Sequence, residues 1–222
     1  MSKNERNAIL GVIGGVLFMT GDCLLYVFPG RDPAADIDPV FASMPVWRFM
    51  LSAFLGLIGM AFMLFGFQSL YSMTKNVCGR VMQCLMIIGG FGVAGTALAH
   101  FNLGSLMPFI YKAVLLSGGD EVLAENACAI VADWAMPLDL LIIIALYMQF
   151  VVLAYMVLSG KSGLGRWFIL ISPIGAVALG VIWSLVFKGT AIGGAWGSCE
   201  SLGEGLMYLT AFYYWRRISH PN

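Results

Sequence analysis

Between Ala135 and Leu158 the chain carries a single charged side chain, Asp139. A stretch that long and that apolar suits the core of a lipid bilayer, which about 20 helical residues cross. Lipid cannot hydrogen-bond an open backbone, so such a segment must satisfy its own amides and carbonyls, as a helix does. Five other stretches read the same way: 8–28, 46–71, 81–102, 167–187 and 195–215. Composition agrees, with 60% hydrophobic and 11% charged residues, where soluble domains hold roughly 45–50% and 25%. The expected fold is all-α: residues 1–222 form one integral membrane bundle of six transmembrane helices, with one or two short helices at the outer mouth.

The links between the apolar runs set the orientation. With the N-terminus in the cytoplasm, Lys3, Arg6, Lys75, Arg80, Lys161, Arg166, Arg216 and Arg217 fall inside, and Arg31, Arg48, Lys112 and Lys188 outside. Short cytoplasmic loops carry the excess of Lys and Arg. Acids divide the opposite way, with Glu5 alone inside. The tryptophans fall near the ends of the runs, as an aromatic belt requires. The expected location is the cell membrane, multi-pass, with both termini cytoplasmic. A signal peptide is the rival reading of the first run, but no small-x-small cleavage site follows it. Formal net charge is zero, so nothing points to nucleic acid.

Two segments stand apart. Residues 29–39, PGRDPAADIDP, read as a loop. Residues 104–133 contain Pro108, Lys112, Asp120, Glu121, Glu125 and Asp133, and are expected to lie at the outer surface as a lid of short helices. The alternative is that the third helix continues well past the membrane. Pro137 is placed in the first turn of the fourth helix, where proline is tolerated. Gly11 and Gly15 form a small-xxx-small face for close packing. No two of the five cysteines form a CxxC pair, and Cys128 and Cys199 share the outer side, where a disulfide is chemically allowed.

The candidate functional residues sort by depth. Asp22 lies about 9 Å from the outer end of its helix, and Glu200 and Glu204 about 8 and 14 Å down theirs, at 1.5 Å per residue. The two glutamates are four apart and share one helical face. Arg48, His100 and Asp139 sit near the outer ends of their helices, with Asn102 and Trp196 close by, whereas the inner half holds only Gln68, Gln83 and Gln149. Intramembrane carboxylates are costly and mark function or a polar network between helices. Arg48 either snorkels to the headgroups or pairs with Asp22 or Glu204. Asp139 either caps its helix beside Pro137 or joins the site. His100 is either a satisfied interface residue or a proton carrier. Zinc prefers His and Cys, and one outer histidine is too few. Asp22, Glu200, Glu204 and Asn102 would at most suit a hard cation, and no metal is assigned. The absence of a GxSxG elbow, a phosphate loop or a nucleotide fingerprint leaves the reaction and the cofactor open.

One histidine with several acids and tryptophans in an apolar bundle resembles the membrane-embedded sterol isomerases of the emopamil-binding type. That resemblance implies proton handling in a lipid-accessible pocket; it rests on residue types, with no aligned motif, and assigns no residue a role. From the residues themselves, the expected function is an outward-facing polar pocket that binds a small amphipathic or lipid-like molecule, with membrane lipids as neighbours. The alternatives are a small-solute or ion transporter or channel, and a non-enzymatic sensor or assembly partner. The oligomeric state is open.

Overall fold

The computed structural model describes residues 1–30, 38–188 and 190–220; most of the predicted loop at 29–39 lies outside them. Every regular element among the described residues is helical. Helix α1 (Lys3–Tyr26) opens with a capping box: the Ser2 hydroxyl accepts from the Glu5 amide at 3.2 Å, and the Glu5 carboxylate accepts from the Ser2 amide. Two N–H groups that a helix start otherwise leaves over are thereby satisfied. Helix α2 (Val46–Val77) returns antiparallel to it. Helix α3 (Arg80–Ala99) passes through a π-helical segment, His100–Leu106, straight into α4 (Met107–Leu116). Helix α5 (Glu121–Leu158) starts on Asp120, whose carboxylate accepts from the Leu123 amide at 2.8 Å. Helices α6 (Pro173–Val186) and α7 (Cys199–Ser219) each follow a 3-10 turn, Arg166–Ile171 and Ala191–Ser198.

Four helical stretches are long and apolar enough to cross a membrane: Lys3–Tyr26, Val46–Val77, Arg80–Leu116 and Glu121–Leu158. The last two predicted spans differ in kind. Helix α6 has 14 residues, and at 1.5 Å per residue that is less than the ~30 Å hydrocarbon core. Helix α7 holds Glu200, Glu204, Arg216 and Arg217.

The expected lid of short helices at 104–133 takes another form. The third helix runs on to Leu116, and α5 already begins at Glu121. A proline cannot donate to the carbonyl four residues back, and its ring crowds that carbonyl. The widened π segment ends just before Pro108 and takes up this misfit, so the chain is not broken there. Pro137, expected in a first turn, lies inside α5 instead. Asp120 supplies the cap seventeen positions earlier, and the helix starts where its cap is.

Two seams hold the bundle. A Cβ on Gly11 would lie 2.5 Å from the Cα of Gly66, and one on Gly14 would lie 2.5 Å from the Gly59 carbonyl oxygen; Gly15 meets the backbone of Gly205 in the same way. Backbone-to-backbone contact of this kind drives helix association where lipid removes the hydrophobic incentive. The second seam sets Gly89, Gly92 and Gly95 of α3 against Gln149, Leu146 and Ile142 of α5. Helices α5 and α7 scarcely touch, which leaves a cleft between the seams. At one end of the bundle the Ser69 hydroxyl donates to the Asn4 carbonyl at 2.9 Å, Trp215 Nε1 donates to the Ser69 carbonyl at 3.2 Å, and Arg217 donates to the Gly163 carbonyl. The starts and ends that carry the eight basic residues named above therefore meet at one end.

Apolar side chains form two separate cores. One contains Phe18, Met63, Val93, Leu146 and Met207, towards the basic end. The other contains Leu25, Phe49, Met107, Tyr111 and Cys128, at the opposite end. Four helical stretches each place a buried polar residue between their contributions to the two cores: Asp22 on α1, Ser52 on α2, Asn102 on the π segment, Asp139 on α5.

Candidate functional site

Gly11, Gly15, Phe18 and Asp22 recur at helical spacing, so the face of α1 that packs closest also carries its acid. Asp22 Oδ1 lies 3.0 Å from His100 Nδ1, and the Ser201 hydroxyl of α7 donates to the other carboxylate oxygen. His100 Nε2 is 3.0 Å from the Ser52 hydroxyl and 3.1 Å from the Ser52 carbonyl. Both ring nitrogens thus face acceptors, an arrangement that a doubly protonated imidazolium satisfies in full. The ring fits because Gly56 is a glycine: a Cβ there would run into the imidazole, 3.0 Å from Nε2. Phe18 covers the ring, with centroids 4.7 Å apart.

The line Ser52–His100–Asp22 has the distances of a nucleophile, base and orienting acid. Its surroundings argue against hydrolysis. Ser52 has no exposed surface, and the carbonyl facing Nε2 competes with the hydroxyl for that nitrogen. The three residues fix helices α1, α2 and α3 to one another.

Two residues further along the π segment, Asn102 turns the opposite way and donates to Asp139 Oδ1 at 3.3 Å. Asp139 is buried in mid-helix, so it does not cap a helix start beside Pro137. Its second oxygen has no hydrogen-bond partner.

A cavity of about 170 Å³ opens between the seams. Asp22, His100, Glu200, Ser201 and Glu204 supply the polar part of its lining, and Phe18, Leu103, Ile142, Ile143 and Leu146 the apolar part. Glu204 is buried, and its Oε2 has no hydrogen-bond partner. Glu200 is half-buried and faces the Tyr147 hydroxyl across the cleft between α5 and α7.

The other expected residues stand elsewhere. Arg48 is no counter-ion: its Nε donates to the Leu24 carbonyl at 2.6 Å and a terminal nitrogen to the Val27 carbonyl at 2.8 Å. It closes the end of α1, where a helix presents unpaired carbonyls and a negative dipole. Trp196 sits in the 3-10 turn before α7, and its neighbour Gly197 reaches the cavity in its place. Cys128 and Cys199 are both free; the Cys128 thiol donates to the Met107 carbonyl at 3.3 Å. Asn102, turned to Asp139, leaves the hard-cation set, and the described residues contain no group of three or more His, Cys, Asp or Glu arranged for a metal. Ser52, Ser201 and Tyr147 were not among the expected site residues. Ser52 had a signal: with Gly56, Gly59 and Gly66 it continues the small-residue stripe of α2.

The fold and the layer define a helical membrane protein with an acid–histidine cluster buried between two apolar cores. Over residues 1–217 the chain matches the family of unknown function DUF6796, and it belongs to that family. No curated protein and no solved structure matches it.

Proposed function

We propose that this is a six-span protein of the cell membrane with its basic end in the cytoplasm, and that its outer cavity holds the polar head of a small amphipathic or lipid-like molecule. The observation that carries the binding role is Glu204 Oε2, buried in the cavity wall without a partner. Leaving such a group unsatisfied costs about 1–3 kcal/mol, more when it is charged, and a ligand group entering the cavity would remove that cost. At about 170 Å³ the cavity is smaller than the roughly 300–1,000 Å³ of sites that enclose a whole drug-sized ligand. It suits a head group, with Leu103 and Ile143 exposed at its edge to carry a tail into the lipid. Ala99 lines the cavity and is half-buried, so Ala99→Phe fills it with little strain. Native mass spectrometry is expected to find a bound small molecule on the wild type and none on this variant. A wild type free of any adduct would refute the binding role.

The six-span arrangement is supported by the alternating helix directions and by the basic residues gathered at one end. Each of the last two helices also gains length from the 3-10 turn before it. Single cysteines at Ser117 and Lys161, in a cysteine-free background, are expected to be labelled from opposite sides of the membrane; labelling from the same side would sink the topology.

One observation favours a transporter as a second function. The Tyr208 hydroxyl, one turn below Glu204, is buried and unpartnered, and so is the side chain of Gln149. They extend the polar groups from the cavity toward the basic end. Ligand flux into proteoliposomes would distinguish transport from binding.

A further inference from the structure

We infer that the head group taken by this cavity is a protonated amine on an apolar body; this rests on the cavity being a binding site. The acids in its wall outnumber its bases. Three carboxylates, Asp22, Glu200 and Glu204, face one histidine. That histidine and Ser201 already satisfy Asp22. Glu200 faces the Tyr147 hydroxyl, and Glu204 keeps an oxygen with no partner.

The basic side chains described at this end are engaged elsewhere or remote. Arg48 donates to the Leu24 and Val27 carbonyls, Lys112 Nζ donates to the Ala42 and Met44 carbonyls at 2.7 Å each, and Lys188 is exposed beyond α6. No described basic side chain supplies a cation to the site, and the cation that completes it is assigned to the ligand. A hard metal ion seeks six to eight oxygens, which this wall does not assemble. An ammonium brings up to three N–H donors to carboxylate oxygens, as short charge-assisted hydrogen bonds. Glu200 and Glu204, one helical turn apart on α7, can each accept one. A phosphate or carboxylate head would meet like charge, and a hydroxyl would bring a single donor. Phe18, Ile142 and Leu146 cover the remaining wall, which suits the methylenes next to the nitrogen.

The test uses the full chain in phosphatidylcholine nanodiscs, titrated with dodecylamine, dodecanol and butylamine against empty discs. Dodecylamine is expected to bind at least about tenfold more tightly than dodecanol, a gap of one charge-assisted contact. Glu204→Gln, with folding checked by gel filtration and helical circular dichroism, is expected to abolish that gap. Glu200→Gln keeps Glu204 and is expected to narrow the gap; it replaces Glu204→Gln should that variant not fold. Butylamine binding as tightly as dodecylamine would identify a free amine, and weaker binding an amine on a hydrocarbon chain; both support the cation. Equal binding of dodecylamine and dodecanol, or variants that keep the full gap, would overturn the amine and leave the pocket standing. Binding of no probe would overturn both.

Discussion

Asp22 and Asp139 lie in the same polar layer and are served by the same π-helical segment, yet they are held in different ways. Asp22 has both oxygens matched, by the His100 imidazole at 3.0 Å and by the Ser201 hydroxyl. Asp139 has one neutral partner, the Asn102 amide at 3.3 Å, and one bare oxygen. A buried charge is stable only when paired and hydrogen-bonded. Asp22 therefore has the partners that an ion pair needs, in a cluster that joins three helices, whereas Asp139 needs no charge to keep its one bond. Two equally buried aspartates should thus respond very differently to substitution.

The largest effect is expected from Asp22→Ala, which strands the imidazole among acceptors. Removing one member of a buried pair costs about 3–5 kcal/mol, and equilibrium unfolding in mild detergent would read it. A loss of under about 1 kcal/mol would show that His100 is neutral and that the pair is not ionic.

Next is Gly56→Ala, whose methyl would meet the His100 ring. Overpacking costs roughly 1–3 kcal/mol, and most of it should vanish in a His100→Ala background, since the ring is what the methyl strikes. A double-mutant cycle measures this: additive losses would mean that the methyl strains something other than the ring.

The smallest effect is expected from Asp139→Asn. It keeps an acceptor for Asn102 and removes no ion pair, so the loss should stay under about 1 kcal/mol, the scale of one ordinary hydrogen bond. A loss as large as that of Asp22→Ala would erase the distinction and show that Asp139 is ionised against a partner of its own.

The helical class and the four long apolar helices were legible in hydropathy, and so was the close-packing face of Gly11 and Gly15. The convergence of Asp22, His100, Glu200 and Glu204 on one cavity followed from their common depth. Their individual bonds did not. Arg48 was weighed as a counter-ion because it is the basic residue nearest in depth, but the carbonyls at the end of α1 take it. The region 104–133 was read as broken because Pro108 and the acids interrupt the apolar pattern. A π turn absorbs that proline, and no residue pattern at 100–106 announces such a turn.

Alone, the sequence determined how much of each segment must leave water, where charge gathers along the chain, and which residues share a depth. These are properties of one segment and its solvent, and a local pattern records them. Tertiary structure decided which residues bond to which: that Asn102 turns to Asp139 and His100 to Asp22, that Ser52 completes the histidine, and that Glu204 is left without a partner. Partnership depends on the rotation and register of two helices against each other. Those are set by contacts between residues far apart in the chain, such as Gly15 against Gly205, and neither helix carries that information by itself.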